Sequence, residues 1–384
     1  SAASDVYKRQ SHKELLNSDG IYKSLYKNAF EDSSPSKDTK NKSNQILVPT
    51  YENEPSSSFV IDSWYKKSIW LYILYPFSLI FSFLIKSRKQ KILKNTKSTY
   101  RSKIPLIVVG NINIGGTGKT PLVKYLTQKL IDHGFKPGLV SRGYGGKFKE
   151  TLKVDMSTPV KKTGDEAQIL SKLNVPFYID KNRVRAVKKL EKENDCDLII
   201  SDDGLQHYKM QRDLEIIVVD GNRRFGNNLL FPAGPLREPV NRLNDADFIV
   251  NNGGPTQENE YLMSITPSKF VHLKSGKSYS IDSWPMHKQV HAIAGLGNPG
   301  RFFDLLERLG FDLIRHPFPD HHNFNENELH FLDHLPIVMT EKDASKCKTI
   351  DNNKIWYLAI EAAVNDKFID SVIDNLSLTN SSNE

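Results

Sequence analysis

The chain has 384 residues, a net charge of +8, 38% hydrophobic residues and a mean hydropathy of −0.47, so it admits two or three domains with some length left outside any core. Two cysteines, Cys196 and Cys347, exclude a disulfide framework, lack metal-ligand spacing and fit a reducing compartment. The charge is concentrated: residues 63–131 hold thirteen Lys and Arg and no Asp or Glu, which points to an anionic partner, either a membrane surface or nucleic acid.

Residues 1–58 are rich in Ser, Asn, Asp and Lys, and the run EDSSPSKDTKNKSN has no period, so a disordered N-terminal extension is expected. SIWLYILYPFSLIFSFLI follows at residues 68–85, eighteen residues without a charge. That length is at the short limit for a spanning helix, and Pro76 sits inside it. A span, an interfacial helix and a buried core helix all remain open. Lys66 and Lys67 precede the run and eight Lys and Arg follow it in residues 86–103. Each cation near an anionic surface contributes about 1 kcal/mol, so residues 59–103 are expected to associate with a membrane.

From residue 104 short β-branched runs alternate with helical stretches. PLIVVG precedes a helix expected at residues 121–133, and DLIISDD, LEIIVVD and DFIVNN read as further strands. The alternation predicts an α/β parallel sheet with crossover helices over residues 104–265. PSKFVHLKSGKSYSI alternates like a connecting ribbon, and VHAIAG, PIVMT and KIWYLAI begin a second α/β stretch within residues 266–384.

The stretch VVGNINIGGTGKTP, residues 108–121, places four glycines between a strand and a helix. Gly110, Gly115, Gly116 and Gly118 let backbone N–H groups converge, and a helix N-terminus adds its partial positive charge. Lys119 supplies a point charge for a polyphosphate and Thr120 a hydroxyl for Mg²⁺, while Pro121 is tolerated in the first helical turn. The usual G-x-x-x-x-G-K-[ST] loop has glycine where Asn113 stands, a change at the entrance rather than in the cradle. Asn113, Ile114, Gly115, Gly116, Thr117, Gly118, Lys119 and Thr120 are therefore expected to hold ATP. The partner acids are expected from DLIISDDGLQH, whose apolar strand brings Asp202 and Asp203 to its C-terminal end, where Mg²⁺ would be held; a helix-capping acid is the alternative.

Two further motifs are weaker. GLGNPG, residues 295–300, matches a dinucleotide fingerprint, but a lone fingerprint is poor evidence. TEKD, residues 340–343, has its lysine one position late for a guanine-reading loop. A membrane-bound partitioning ATPase would need a lysine where Ile114 stands, and a nucleic-acid ATPase would interleave aromatics with its basic residues.

Together VGNINIGGTGKTP, SRGYGG (141–146), GDEA (164–167), DDGLQH (202–207), FPAGPLREP (231–239), FPDHHNF (318–324) and TEKD resemble the tetraacyldisaccharide 4′-kinases, the lipid A 4′-kinases of Gram-negative bacteria. Ala167 departs from the proline usual in the GDEA motif, and residues 1–58 match nothing in the family. The resemblance implies a P-loop kinase-like sheet domain, a smaller second α/β domain reached through a β-ribbon, and an N-terminal membrane helix. It also implies transfer of the ATP γ-phosphate to the 4′-hydroxyl of tetraacyldisaccharide 1-phosphate, forming lipid IVA at the cytoplasmic face of the inner membrane. Neither nucleic acid nor an obligate protein partner is expected. Lys119 would then hold the β/γ-phosphates, and Thr120 with Asp202 or Asp203 the Mg²⁺. A base is implied at Asp165, oriented by His321, with the pair assembling as the domains close. Arg142 is expected to contact phosphate or to be structural, and Arg237 and Glu238 to pair locally at the acceptor site or simply to pack the loop. His207 would lie behind the metal acids or on a helix face.

Overall fold

Residues 106–110 are apolar apart from a closing glycine, and all five are buried in the first strand of the sheet, β1 (Leu106–Gly110). The computed structural model describes residues 59–66, 68–95 and 99–381, so the expected disordered extension, residues 1–58, lies outside the described residues. After β1 come α3 (Lys119–Asp132), β2 (Pro137–Ser141), β3 (Leu152–Lys153), α4 (Val160–Thr163), α5 (Asp165–Leu170), β4 (Phe177–Ile179), α6 (Arg183–Glu193), β5 (Leu198–Asp202), β6 (Leu214–Asp220) and β7 (Phe248–Asn252). Ahead of β1 stand α1 (Phe59–Tyr65), a 3₁₀ turn (Ile69–Leu74) and α2 (Tyr75–Lys94). Helix α3 forms because Leu122, Val123, Leu126 and Leu130 recur on one face, all fully buried against the sheet. Each contributes about 1.5–3 kcal/mol by burial. Gly134, at φ 89°, ends the helix.

The second half holds β8 (Glu260–His272), β9 (Ser278–Ser280), β10 (Gln289–Ala294), α7 (Gly300–Arg308), β11 (Asp312–Pro317), β12 (Ile337–Thr340), α8 (Glu341–Lys346), β13 (Ile355–Val364) and α9 (Asp366–Ser381). Among the described residues thirteen strands hydrogen-bond in the order β11-β10-β12-β13-β8-β7-β6-β1-β5-β2-β4-β3, with β9 on β8. Most pairs are parallel, as the alternating pattern predicts, whereas β8–β13, β3–β4 and β8–β9 are antiparallel. The expected ribbon, residues 267–281, covers the later part of β8, its turn and β9, which pair as a hairpin; Glu260 to Met263 of β8 run beside β7, and the later residues of β8 also pair with β13. The expected boundary at residue 266 thus falls inside one strand. The last helix returns to the first lobe, where Phe368, Ile369, Val372 and Leu376 join the core of Leu122 and Leu126.

Pro76 opens α2 instead of interrupting a helix, because its missing N–H is harmless in the first turn. One stripe of the segment is fastened to the body. Trp64 Nε1 donates to the Pro232 carbonyl at 3.0 Å, and Ser78 Oγ to that of Leu230 at 2.8 Å. The opposite side leaves Phe77, Leu79, Ile80, Phe83 and Leu84 more than half exposed. By length and composition, residues Ile69–Lys94 suffice to cross a membrane.

Candidate active site

β1 lies between β5 and β6, so the loops leaving the C-terminal ends of β1 and β5 open onto one crevice. A Cβ on Gly110 would sit 2.5 Å from that of Leu205, so glycine allows the two loops this approach. The phosphate loop is held by its edges. Asn111 Nδ2 donates to Thr117 Oγ1 (3.1 Å), Asn252 Nδ2 to the Thr117 carbonyl (3.0 Å) and Arg223 Nη2 to that of Gly116 (2.9 Å). Its open side belongs to Gly115, at φ 103°, and Gly116, where an added Cβ would meet nothing within 4 Å. Asn113 and Ile114, at the entrance of the loop, are tied to its neighbours: Asn113 Nδ2 donates to the Arg224 carbonyl (2.7 Å) and the Ile114 amide to that of Pro235 (2.7 Å), so this pair anchors the cradle. The asparagine in place of the first glycine is thus a clamp. Lys119 and Thr120 open α3 beneath the loop.

The two acids occupy different environments. Asp203 turns back at φ 50°, the left-handed region that asparagine and aspartate tolerate best, and its Oδ1 lies 3.5 Å from both Lys119 Nζ and Arg237 Nη1. Burial pushes its carboxyl up, but Lys119, Arg237 and Arg183 outweigh that and hold it below the usual range. Asp202 is 2% exposed, and neither carboxylate oxygen has a hydrogen-bond partner among the described residues. Burial drives it up to about 7, with Glu166 and Asp203 adding to the rise and Lys119 and Arg183 opposing it. A buried, unpartnered carboxylate at the end of β5 and the Thr120 hydroxyl in the first turn after the phosphate loop are oxygen donors of the kind that fits a hard divalent cation.

That environment carries a stability signature. A carboxyl whose folded pKa is raised stabilises the native state below its unfolded pKa, about 4, and loses that contribution as pH rises through the folded value near 7. Asp202→Asn is therefore expected to raise the Tm of the metal-free protein at pH 8 by at least about 2 °C, with a smaller gain at pH 5. Thermal melts across that range check it; a gain independent of pH contradicts a raised carboxyl.

GDEA supplies the third component. Gly164, at φ 82°, admits no side chain, since a Cβ would fall 1.9 Å from the Tyr144 carbonyl. Asp165 then starts α5 with its Oδ2 3.0 Å from His321 Nδ1 and 3.8 Å from Lys346 Nζ. Burial pushes its carboxyl up, but the His321 hydrogen bond, Lys346 and Lys342 prevail and keep it below the ordinary value. His321 is held at φ 60°, a conformation that costs about 1–3 kcal/mol and persists only where the surroundings impose it. Its amide donates to Asp320 Oδ1 (3.0 Å), and the Tyr144 ring lies 5.4 Å from the imidazole. Lys342 Nζ donates to Asp320 Oδ1 (2.9 Å) and lies 3.5 Å from His321 Nε2, so the lysine of TEKD braces the histidine loop.

The remaining candidates separate. Arg142 is exposed, forms no ion pair among the described residues, and is close enough to Arg183 to depress its pKa. The expected Arg237–Glu238 pair does not form. Arg237 turns to Asp203, whereas Glu238 is 2% exposed and accepts from Gln206 Nε2 at 2.8 Å and from the Tyr208 hydroxyl, so it packs the loop from within. His207 is half-buried, and burial with Arg183 and Arg212 lowers it to about 4, so it is neutral at physiological pH. Two residues that sequence reasoning missed belong here. Arg183 is 4% exposed, donates to the Asp203 carbonyl at 2.9 Å, and is pushed down to about 10 by burial. Glu166, beside Asp165, acts electrostatically on Asp202. Its position in GDEA was the only signal; Arg183 had none.

The family model for tetraacyldisaccharide-1-phosphate 4′-kinases matches residues 70–377, through both lobes and the helix α2. The chain belongs to that family. A tetraacyldisaccharide 4′-kinase of Methylobacillus flagellatus is 42% identical over 316 residues, 82% of this chain and 94% of that one. One of Ruthia magnifica is 45% identical over 300 residues, 78% of this chain and 95% of its own. Among solved structures, LpxK of Aquifex aeolicus in complex with ATP superposes with a TM-score of 0.70 at 26% identity, covering 80% of this chain and all of that one. Every cluster described above falls within the residues matched by the 4′-kinase family model.

Proposed function

We propose that the protein transfers the γ-phosphate of ATP to the 4′-hydroxyl of tetraacyldisaccharide 1-phosphate, at the cytoplasmic face of the inner membrane. The observation that carries this reading is the pairing of two consecutive residues. Asp165 is hydrogen-bonded to His321, while Glu166 acts on Asp202 beside the phosphate loop, so a base and a nucleotide cradle share one crevice. Phosphoryl transfer needs positioning and charge neutralisation more than covalent chemistry. Gly115, Gly116, Thr117 and Gly118 present the loop backbone, and Lys119 places its ammonium where charge develops. Asp202 and Thr120 would hold Mg²⁺, which would supply charge neutralisation for the phosphates. Asp203 is the less suitable ligand, because it already balances Lys119 and Arg237. Asp165, ionised at neutral pH, takes the proton of the sugar hydroxyl while His321 Nδ1–H fixes the carboxylate's orientation. Arg142, exposed at the rim, is available for an acceptor or nucleotide phosphate.

The acceptor arrives from a bilayer, and α2 is built to meet it. With Ser78 bonded to the Leu230 carbonyl and the Ala233 amide, the helix keeps its other face for lipid, so it lies in the interface rather than crossing alone. Phe77 and Phe83 are 59% and 70% exposed. Each inserted aromatic contributes about 1.5–3 kcal/mol, so Phe77→Ser with Phe83→Ser is expected to weaken binding to anionic vesicles at least about a hundredfold. Co-sedimentation checks this, and undiminished binding would place the anchor elsewhere.

The decisive assay measures phosphate transfer from labelled ATP to a tetraacyl disaccharide 1-phosphate in detergent micelles. Acceptor-dependent labelling is expected. Hydrolysis of ATP that ignores the acceptor would overturn the kinase reading in favour of a membrane ATPase.

A further inference from the structure

We propose that Arg301, directly after the glycine-rich GLGNPG segment, is a positioning residue that latches the second lobe onto the phosphate loop through Asp220. Asp220 ends β6 and is 2% exposed. Its Oδ1 accepts the amides of Asn222 (3.1 Å) and Arg223 (3.0 Å), and its Oδ2 accepts Arg223 Nε (2.8 Å). The same Arg223 reaches the Gly116 carbonyl with Nη2 at 2.9 Å. Arg301 approaches from the other lobe with both terminal nitrogens, Nη1 to Oδ2 at 3.3 Å and Nη2 to Oδ1 at 3.4 Å. One buried carboxylate thus joins α7 to the backbone of the phosphate cradle.

The glycine-rich segment explains how the latch is aimed. It leaves β10 and starts α7 at Gly300, which puts Arg301 in the first turn while its neighbours Phe302 and Phe303 enter the second-lobe core. The other end of the same segment touches the mount of His321. The Gly295 amide donates to Asp343 Oδ2 at 2.9 Å, and a Cβ on Gly297 would lie 3.6 Å from Asp320 Oδ2. Asp320 in turn accepts the His321 amide and Lys342 Nζ. A shift of Arg301 is therefore passed along one short segment to the imidazole paired with Asp165. An exposed ion pair would be worth little, and Arg301 is 45% exposed, but its partner is buried and engaged bidentately. The motif that suggests a dinucleotide site serves here as the hinge plate of this latch.

The effect on turnover rests on the kinase reading; the effect on structure does not. Hydrogen exchange of residues 115–118 and 320–323, and steady-state transfer kinetics, are measured on the wild type, Arg301→Ala and Arg301→Lys. Arg301→Ala is expected to speed exchange in both segments, raise the KM for ATP and lower kcat, together between about ten- and a hundredfold in kcat/KM. Arg301→Lys, which still reaches one carboxylate oxygen, recovers most of that loss. A general loss of packing would instead lower the Tm of both variants and show no rescue, which overturns the latch. Unchanged exchange in both segments overturns it too, even if the wild type transfers phosphate normally. A wild type without transfer overturns the kinase reading alone, and the exchange rates still decide the latch.

Discussion

Lys119→Ala is expected to abolish phosphate transfer while leaving the protein folded. The side chain is 12% exposed, and its ammonium sits at the mouth of the glycine loop, 3.5 Å from Asp203. A preorganised charge aimed at developing negative charge is typically worth about 10²–10³ in kcat, or roughly 3–4 kcal/mol of barrier. The fold survives because Asp203 keeps Arg237 and Arg183 as counter-charges when the lysine is gone. Turnover measured beside a thermal melt separates the two effects. A rate within about tenfold of wild type, 1.4 kcal/mol, would remove the phosphate-loop assignment.

Asp165→Ala and His321→Ala are each expected to reduce turnover by about 10²–10⁴-fold, the usual worth of a positioned base. The double variant should be scarcely slower than the worse single one, since groups that act as a unit lose their effect together. Nucleotide affinity should persist in all three, because neither residue touches the glycine loop. The pH dependence gives an independent check. Asp165 is held below the ordinary carboxyl value, so its stabilising contribution is present above the unfolded pKa, about 4, and disappears as pH falls through the lower folded value. Its removal should accordingly flatten the acid side of the stability profile. Fully multiplicative losses in the double variant would refute a concerted pair.

Some of this site could be read directly from short stretches of chain. Strand, glycine loop, lysine and helix are contiguous in residues 106–132, so backbone freedom and hydrophobic period within that window suffice to place the cradle. The acid pair at the end of β5 follows for the same reason. The Asp165–His321 pair was reached through the family resemblance of two motifs, for the residues stand 156 positions apart and no local pattern joins them.

What only the tertiary structure decided are partnerships across elements. Arg237 faces Asp203 instead of its neighbour Glu238, because the FPAGPLREP loop crosses the phosphate loop at Ile114 and turns successive side chains to opposite sides. Arg183 beneath the acids, and Arg301 on Asp220, are ordinary arginines in helix first turns until the sheet order brings β6, β5 and α7 around one crevice. The apolar N-terminal helix shows the same division. Its eighteen uncharged residues and basic flank determined that it is apolar and cationic, but its stripe facing the body depends on Ser78 meeting Leu230, 152 residues away. Sequence periodicity specifies which side of an element is apolar. The partner that covers it is set by long-range packing, which a one-dimensional pattern does not encode.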